Sequence, residues 1–126
     1  MKLQNTELLR TRNLIAGQWV DADAGGKLAV LNPASGDKLA DVPLCGADET
    51  RRAIDAANAA WPAWRALTAR RRSQILQAWN RLILDNAEDL AQIVTAECGK
   101  PLAEAKGEVI YGASFVEWFA EEGKRT

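Results

Sequence analysis

The stretch Glu97-Cys98-Gly99-Lys100-Pro101-Leu102-Ala103-Glu104-Ala105-Lys106-Gly107-Glu108 joins the end of one helix to the start of the next. Gly99 is a natural C-cap, because glycine takes a left-handed backbone without steric cost. Pro101 then falls in the first turn of the following helix, where its missing N–H costs no hydrogen bond. That last helix carries Leu102, Ala105, Val109, Gly112, Val116 and Phe119 on one stripe, and Ile110, Tyr111, Ala113, Phe115 and Trp118 fill most of the rest. A helix apolar nearly all round calls for burial on both sides.

Working back towards the N-terminus, Asn86-Ala87-Glu88-Asp89 reads as the start of a third helix, with Leu90, Ile93, Val94 and Glu97 on one face. Thr68 caps a second helix whose apolar face is Ile75, Leu76, Trp79, Leu82 and Ile83. Asp48 is the expected N-cap of the first. Ala53, Ile54, Ala57, Ala60, Trp61 and Trp64 follow its face, and Pro62 is expected to kink or stop it at Trp61. Before these helices the period is that of strands. Asn13 to Val20 reads as a tight hairpin about Gly17, and Asp21 to Lys27 as a polar loop. Leu28-Ala29-Val30-Leu31 and Lys38-Leu39-Ala40-Asp41-Val42 are further strands, with a turn at Asn32-Pro33-Ala34-Ser35-Gly36-Asp37 between them and Pro43 as a stop. The fold class is therefore α+β, with a β-hairpin region over 1–45 and a helical region of about four helices over 46–126.

Composition narrows the function. A chain of 126 residues with 48% apolar content holds one modest core. A net charge of −1 supplies no field for nucleic acid or a lipid surface. No run approaches the ~20 apolar residues that span a bilayer, and the polar segment Met1 to Arg12 lacks the apolar core of a signal peptide. Two cysteines without a CxxC fit a reducing, cytoplasmic setting. With no histidine, acid–base chemistry near neutral pH would need a shifted carboxylate, lysine or cysteine. Five tryptophans in so short a chain point to surfaces that pack against structure beyond these elements.

The motifs in order resemble the front of the aldehyde dehydrogenase family. Ile15-Ala16-Gly17-Gln18-Trp19 is similar to its I-N-G-x-W hairpin, and Asn32-Pro33-Ala34-Ser35-Gly36 to its N-P-A-T-G turn. The helix through Ala57, Ala60, Trp61, Pro62, Ala63 and Trp64 resembles its A-A-x-x-A-x-P-x-W segment, and Glu97-Cys98-Gly99-Lys100-Pro101 its E-x-G-K-P link. The run from Ala103 to Glu108, with Phe115 to Glu122, is most similar to the bacterial branch that oxidises succinate semialdehyde in 4-aminobutyrate degradation. The likeness runs from about Leu8 to Arg125 and covers only the front of the family's length.

The resemblance implies an NAD(P)-dependent oxidoreductase when complete. A cysteine thiolate would attack the aldehyde, hydride would leave the thiohemiacetal for NAD or NADP, and water would release the acid. The catalytic cysteine, glutamate and asparagine and the glycine-rich cofactor loop all come later in the family. This chain is thus expected to hold no catalytic and no cofactor-binding residue, to carry no cofactor alone, and to be inactive alone. Cys98 sits at a helix C-terminus, where the dipole disfavours a thiolate, and falls on the "x" of E-x-G-K-P. It is read as structural, as is Cys45.

The resemblance further implies that the carbonyl of Leu31 and the carboxylate of Glu97 help hold a monovalent cation, and that Tyr111 and Phe115 line the substrate tunnel. The whole chain, 1–126, is expected to form the N-terminal part of the α/β cofactor-binding domain. Expected partners are the remainder of the dehydrogenase or a second copy, in a homo-oligomer that exchanges the last helix, and a small aldehyde in the complete enzyme. No nucleic acid and no membrane are expected. The basic run Arg70-Arg71-Arg72 is read as a solvated or interdomain face. A second reading is a non-catalytic helical module that binds a partner through its last helix. The end at Gly123-Lys124-Arg125-Thr126 favours the first reading, as a cut within a longer enzyme.

Overall fold

A computed structural model describes residues 1–125. Two antiparallel hairpins come first: β1 (Asn13–Ile15) pairs with β2 (Gln18–Val20), and β3 (Lys27–Leu31) with β4 (Lys38–Pro43). Four helices follow: α1 (Ala47–Ala66), α2 (Ala69–Asp85), α3 (Ala87–Cys98) and α4 (Leu102–Glu122). The α+β reading holds.

The turn of the first hairpin has both Ala16 and Gly17 at positive φ, 50° and 78°. Two positive φ values in a two-residue loop match the twist of the flanking strands. Gly17 accepts that freely, whereas Ala16 bears the Cβ clash that L-residues meet there. In the second hairpin Pro43 is the last residue of β4, opposite Lys27, as the sequence leads one to expect. One backbone bond follows it, in which Leu44 N–H donates to the Gly26 carbonyl at 2.9 Å. Proline is tolerated at such a position because a two-stranded sheet leaves one side of each strand unpaired.

The start of α1 differs from the expectation. Gly46 is the N-cap, and Glu49 does the work assigned to Asp48. The buried Glu49 carboxylate accepts Gly46 N–H at 2.9 Å and, from the loop before β3, Asp23 N–H at 2.8 Å. Asp23 also accepts from both terminal guanidinium nitrogens of Arg52, at 2.6 and 2.9 Å. Asp48 pairs instead with Arg51 at the surface. Nor does Pro62 stop the helix, which runs on to Ala66. Its last turn is held from outside: the Arg72 guanidinium on α2 donates to the carbonyls of Leu67 and Arg65, at 2.5 and 3.2 Å. Thr68 caps α2 as expected, its hydroxyl accepting Arg71 N–H at 3.2 Å. Pro101 occupies the N-cap of α4, one step before its first turn.

The core lies where α4 runs between α2 and α3. Its inner face is Ala105, Ala113 and Ala120, at 0%, 1% and 0% exposure, with Val109 and Val116 half-buried between them. Phe119 and Gly112, placed on that stripe by periodicity, are exposed. Of the α2 stripe, Leu76 and Ile83 are half-buried while Ile75, Trp79 and Leu82 face outward, and Ser73 and Asn80 are the fully buried positions. The physical reason is shared by both helices. Alanine lets two helix backbones approach closely, and a short side chain or a hydrogen-bonding amide then fits the gap better than leucine or tryptophan. Asn80 Nδ2 donates to the Ala113 carbonyl at 2.7 Å inside this seam. On the other side α3 buries Ala87, Ala91 and Ala96. It also buries Asp89, which accepts the N–H groups of Gln4 and Asn5 at 3.0 and 2.7 Å and so ties down the N-terminal segment.

Ala113→Leu should lower stability by about 1–3 kcal/mol through overpacking, read as a lower urea midpoint by circular dichroism. The Glu49 carboxyl is held below its ordinary value of 4.5 by the N–H groups of Asp23, of Glu49 itself and of Gly46. A lowered folded pKa stabilises above the unfolded value and is lost as pH falls through the folded one. Glu49→Gln should therefore unfold more easily than the parent at neutral pH, and the two midpoints should converge as pH drops below about 4.5.

Candidate functional site

Two regions carry the residues singled out by sequence. The first is the junction of α3 and α4 beneath the turn of the second hairpin. Gly99 ends α3 at φ 77°, with its N–H on the Thr95 carbonyl at 2.9 Å. A Cβ on Gly99 would lie 3.0 Å from Pro33 Cγ, so only glycine lets the turn seat against the helix end. That turn is shaped by its own side chains. Asn32 Oδ1 accepts Ala34 N–H at 2.9 Å, and Ser35 Oγ accepts Asp37 N–H at 3.3 Å.

Leu31 lies two residues before Pro33 and Glu97 two before Gly99, so both flank this contact in the chain, and both are exposed. Among the described residues no three or more His, Cys, Asp or Glu side chains gather as a metal site. Beside the junction is a small cavity of about 270 Å³ lined by Asn32, Gln92, Thr95 and Leu102 among others. The Thr95 hydroxyl is buried without a protein partner. Lys100 is joined to Glu108, and this carboxylate holds the Lys100 ammonium pKa above its ordinary value. Lys106 reaches Glu88 at 2.8 Å, fastening α4 to the start of α3.

The second region is the outer face of α4. Tyr111 and Phe115 meet edge to face, with ring centroids 4.9 Å apart and an angle of 83°. Their exposures are 65% and 47%, and those of Trp118 and Phe119 are both 62%. A groove of about 730 Å³ runs past Phe115, Trp118 and Phe119, with Glu117, Glu121 and Glu122 along it. Glu121 accepts from Gln77 Nε2 at 2.6 Å and pairs with Lys124 at 2.7 Å, and these two partners, Lys124 first, lower its pKa. Arg125 also lines the groove and pairs with Glu122 at 3.1 Å.

The two cysteines differ in their surroundings. Cys98 is exposed at the end of α3, and Cys45 is half-buried, its sulfur accepting from Asn13 Nδ2 at 3.0 Å. In the Arg70–Arg72 run, Arg70 and Arg71 are exposed while Arg72 turns in to the end of α1.

These features can be set beside known proteins. A family model described as Aldehyde dehydrogenase family matches residues 19–126. The chain belongs to the aldehyde dehydrogenase family. Succinate-semialdehyde dehydrogenase [NADP(+)] of Escherichia coli (strain K12) is 61% identical over 125 residues, 99% of this chain and 26% of that enzyme. Glutarate-semialdehyde dehydrogenase of Pseudomonas putida (strain KT2440) is 55% identical over the same share of each. A crystal structure described as an E. coli NADP-dependent enzyme superposes with a TM-score of 0.97 at 60% identity, over 98% of this chain and 26% of that one. The chain thus spans about a quarter of the length of the relatives it matches and corresponds to the N-terminal part of the aldehyde dehydrogenase fold. The reading as a free-standing interaction module draws no support from these likenesses.

Sequence reasoning missed the polar anchors of this frame: Glu49, Arg72, Asn80 and Asp89. Asn80 sits between Trp79 and Arg81, and nothing in that local sequence marks it as buried. The partners of Asp89 and the Asp23 partner of Glu49 lie far off in the chain and carry no local signal, whereas Glu49 with Gly46 three residues before it is a capping pattern readable from sequence, and Arg72 reaches carbonyls five and seven residues before it.

Gly99→Ala should cost about 1–2 kcal/mol from the left-handed backbone alone, and more if Pro33 is pushed away. The check is its urea midpoint compared with that of Gly107→Ala, whose added methyl meets nothing within 4 Å.

Proposed function

We propose that this chain forms the front of an NAD(P)-dependent dehydrogenase for aldehydes that carry an acidic group, with succinate semialdehyde as the leading substrate. The observation that carries the reading is 61% identity across 99% of the chain to an enzyme named for that substrate. The second relative is named for glutarate semialdehyde, which also pairs an aldehyde with a distal carboxylate. On this reading residues 1–126 belong to the cofactor-binding domain, and the complete protein is a cytoplasmic homo-oligomer active in 4-aminobutyrate degradation. The nucleophile and the residues that grip the dinucleotide are supplied from outside this chain. NAD or NADP, when held by them, accepts hydride.

The chain's own residues act indirectly. Tyr111 and Phe115, already stacked edge to face, form an apolar wall of the substrate tunnel that excludes water and aligns the aldehyde. Glu97 and the Leu31 carbonyl contribute hard oxygen ligands to a monovalent cation at the seat of the N-P turn, pinning β3 to the end of α3. The contact of Pro33 with Gly99 supports this, since it brings the flanking segments to one place.

The test grafts residues 1–126 onto the Escherichia coli enzyme in place of its matching segment and follows NADP reduction by absorbance. The isolated chain should give no rate above background. The graft should oxidise succinate semialdehyde, and Tyr111→Ala in it should raise KM several-fold with a smaller change in kcat. A folded graft without activity, or turnover by the isolated chain, would overturn the reading.

A further inference from the structure

The first turns of α2 carry donors that neither the packing nor the proposed function uses. An open cavity of about 450 Å³ lies between them and the end of α4, lined by Ala69, Arg70, Ser73, Gln74, Gln77 and Lys124. Positions 70, 73, 74 and 77 are three or four apart, so they share one face of the helix.

Ser73 is the informative member. It is only 4% exposed, yet it lines the cavity. Thr50 and Ser114 turn their hydroxyls back onto the carbonyls of Gly46 and Tyr111, at 2.8 and 2.7 Å, whereas the Ser73 hydroxyl meets no partner among the described residues. A shielded polar group without a partner is costly. One that borders a polar cavity points to a ligand oxygen as the missing partner.

The surroundings favour negative charge. The N–H groups of Ala69 and Arg70 open the helix without acceptors among the described residues, whereas those of Arg71 and Arg72 are taken by Thr68. Unbonded N–H groups and the helix dipole together make such an end attract anions. The Arg70 guanidinium is exposed and has no ion pair among the described residues. Across the cavity, Glu121 already has both oxygens occupied. Gln77 Nε2 donates to one at 2.6 Å, and Lys124 pairs with the other at 2.7 Å. The charge of Glu121 is thus matched by Lys124, and that of Arg70 is left over.

We propose that this cavity binds a phosphate group, as the free ion or as a phosphomonoester. Arg70 donates its guanidinium fork, the Ala69 and Arg70 N–H groups and the Ser73 hydroxyl meet further oxygens, and Gln74 offers its amide. So many donors exceed what the two oxygens of a carboxylate can accept, whereas a phosphate presents three or four. The proposal stands apart from the dehydrogenase reading, since none of these residues belongs to the tunnel wall or the cation site proposed above.

The experiment titrates the isotope-labelled chain with inorganic phosphate and, separately, with glycerol phosphate, at an ionic strength held constant with sodium chloride, and follows the amide shifts by NMR. The amides of Ala69, Arg70 and Ser73 should shift together and saturate. Arg70→Gln should weaken binding roughly fivefold or more and Ser73→Ala roughly threefold, as expected for lost charge-assisted and neutral hydrogen bonds. Arg71 is exposed and lies outside the cavity lining, so Arg71→Gln should leave binding nearly unchanged. Arg70 is exposed as well, so its variant keeps the fold, checked by circular dichroism, even where Ser73→Ala loosens it. Saturable binding of either ligand that depends on Arg70 supports the proposal, and the tighter ligand tells free phosphate from ester. Shifts that never saturate, equal losses from Arg71→Gln and Arg70→Gln, or binding indifferent to Arg70→Gln would each overturn it.

Discussion

The fold depends on how closely α4 can approach its two neighbours. Ala105, Ala113 and Ala120 are the contact surface, and no large side chain is fully buried in the described residues. Burial contributes roughly 25 cal/mol per Å² of apolar surface, so an alanine seam yields little per residue. What it provides is proximity. The helix backbones come near enough for Asn80 to donate to the Ala113 carbonyl across the seam. That carbonyl already accepts within its own helix in regular α geometry, so the amide uses its second lone pair. A buried amide left without this acceptor would cost the structure more than the bond itself contributes.

The same economy governs the N-terminal region. Its two hairpins are separate two-stranded sheets, a size that is marginal in water. The segments that lead into them are held to the helices by carboxylates aimed at backbone N–H groups. Asp89 on α3 takes Gln4 and Asn5, and Glu49 on α1 takes Asp23 while also capping its own helix. Each is buried, and each fills both of its oxygens with donors, the condition for a buried carboxylate to be stabilising. The loops are thus positioned by a few directed bonds, with the Pro33–Gly99 contact as the apolar counterpart on the far side of the second hairpin.

What the sequence discloses follows from this division. Turn and cap chemistry is local, so the Gly17 hairpin, the Asn32–Gly36 turn, the Thr68 cap and the Gly99 stop are all readable from the residues themselves. The faces of α2 and α4 are not. Periodicity identifies apolar residues but cannot say which of two apolar stripes faces inward, and here the smaller residues do. Pro62 escapes prediction because the bonds that secure the helix beyond it come from Arg72, in the next helix. The pairing of Tyr111 with Phe115 is legible from their spacing of one turn. The proposed joint role of Leu31 and Glu97 rests on family likeness, as no local rule joins a strand end to a helix end more than sixty residues later.

The seam and the proposed tunnel wall are mechanically one object. Tyr111 and Phe115 lie two residues to either side of Ala113, so the depth at which Ala113 seats against Asn80 fixes how far both rings project. An extra methylene in the seam would shift the rings together and keep their edge-to-face contact. An aldehyde bound against that wall would meet the same chemistry at a changed distance, which penalises positioning more than affinity for an apolar surface. The small residues of α4 therefore set the placement of its large ones. On the proposed reading, the register of the aromatic wall is set by the alanines of the seam behind it.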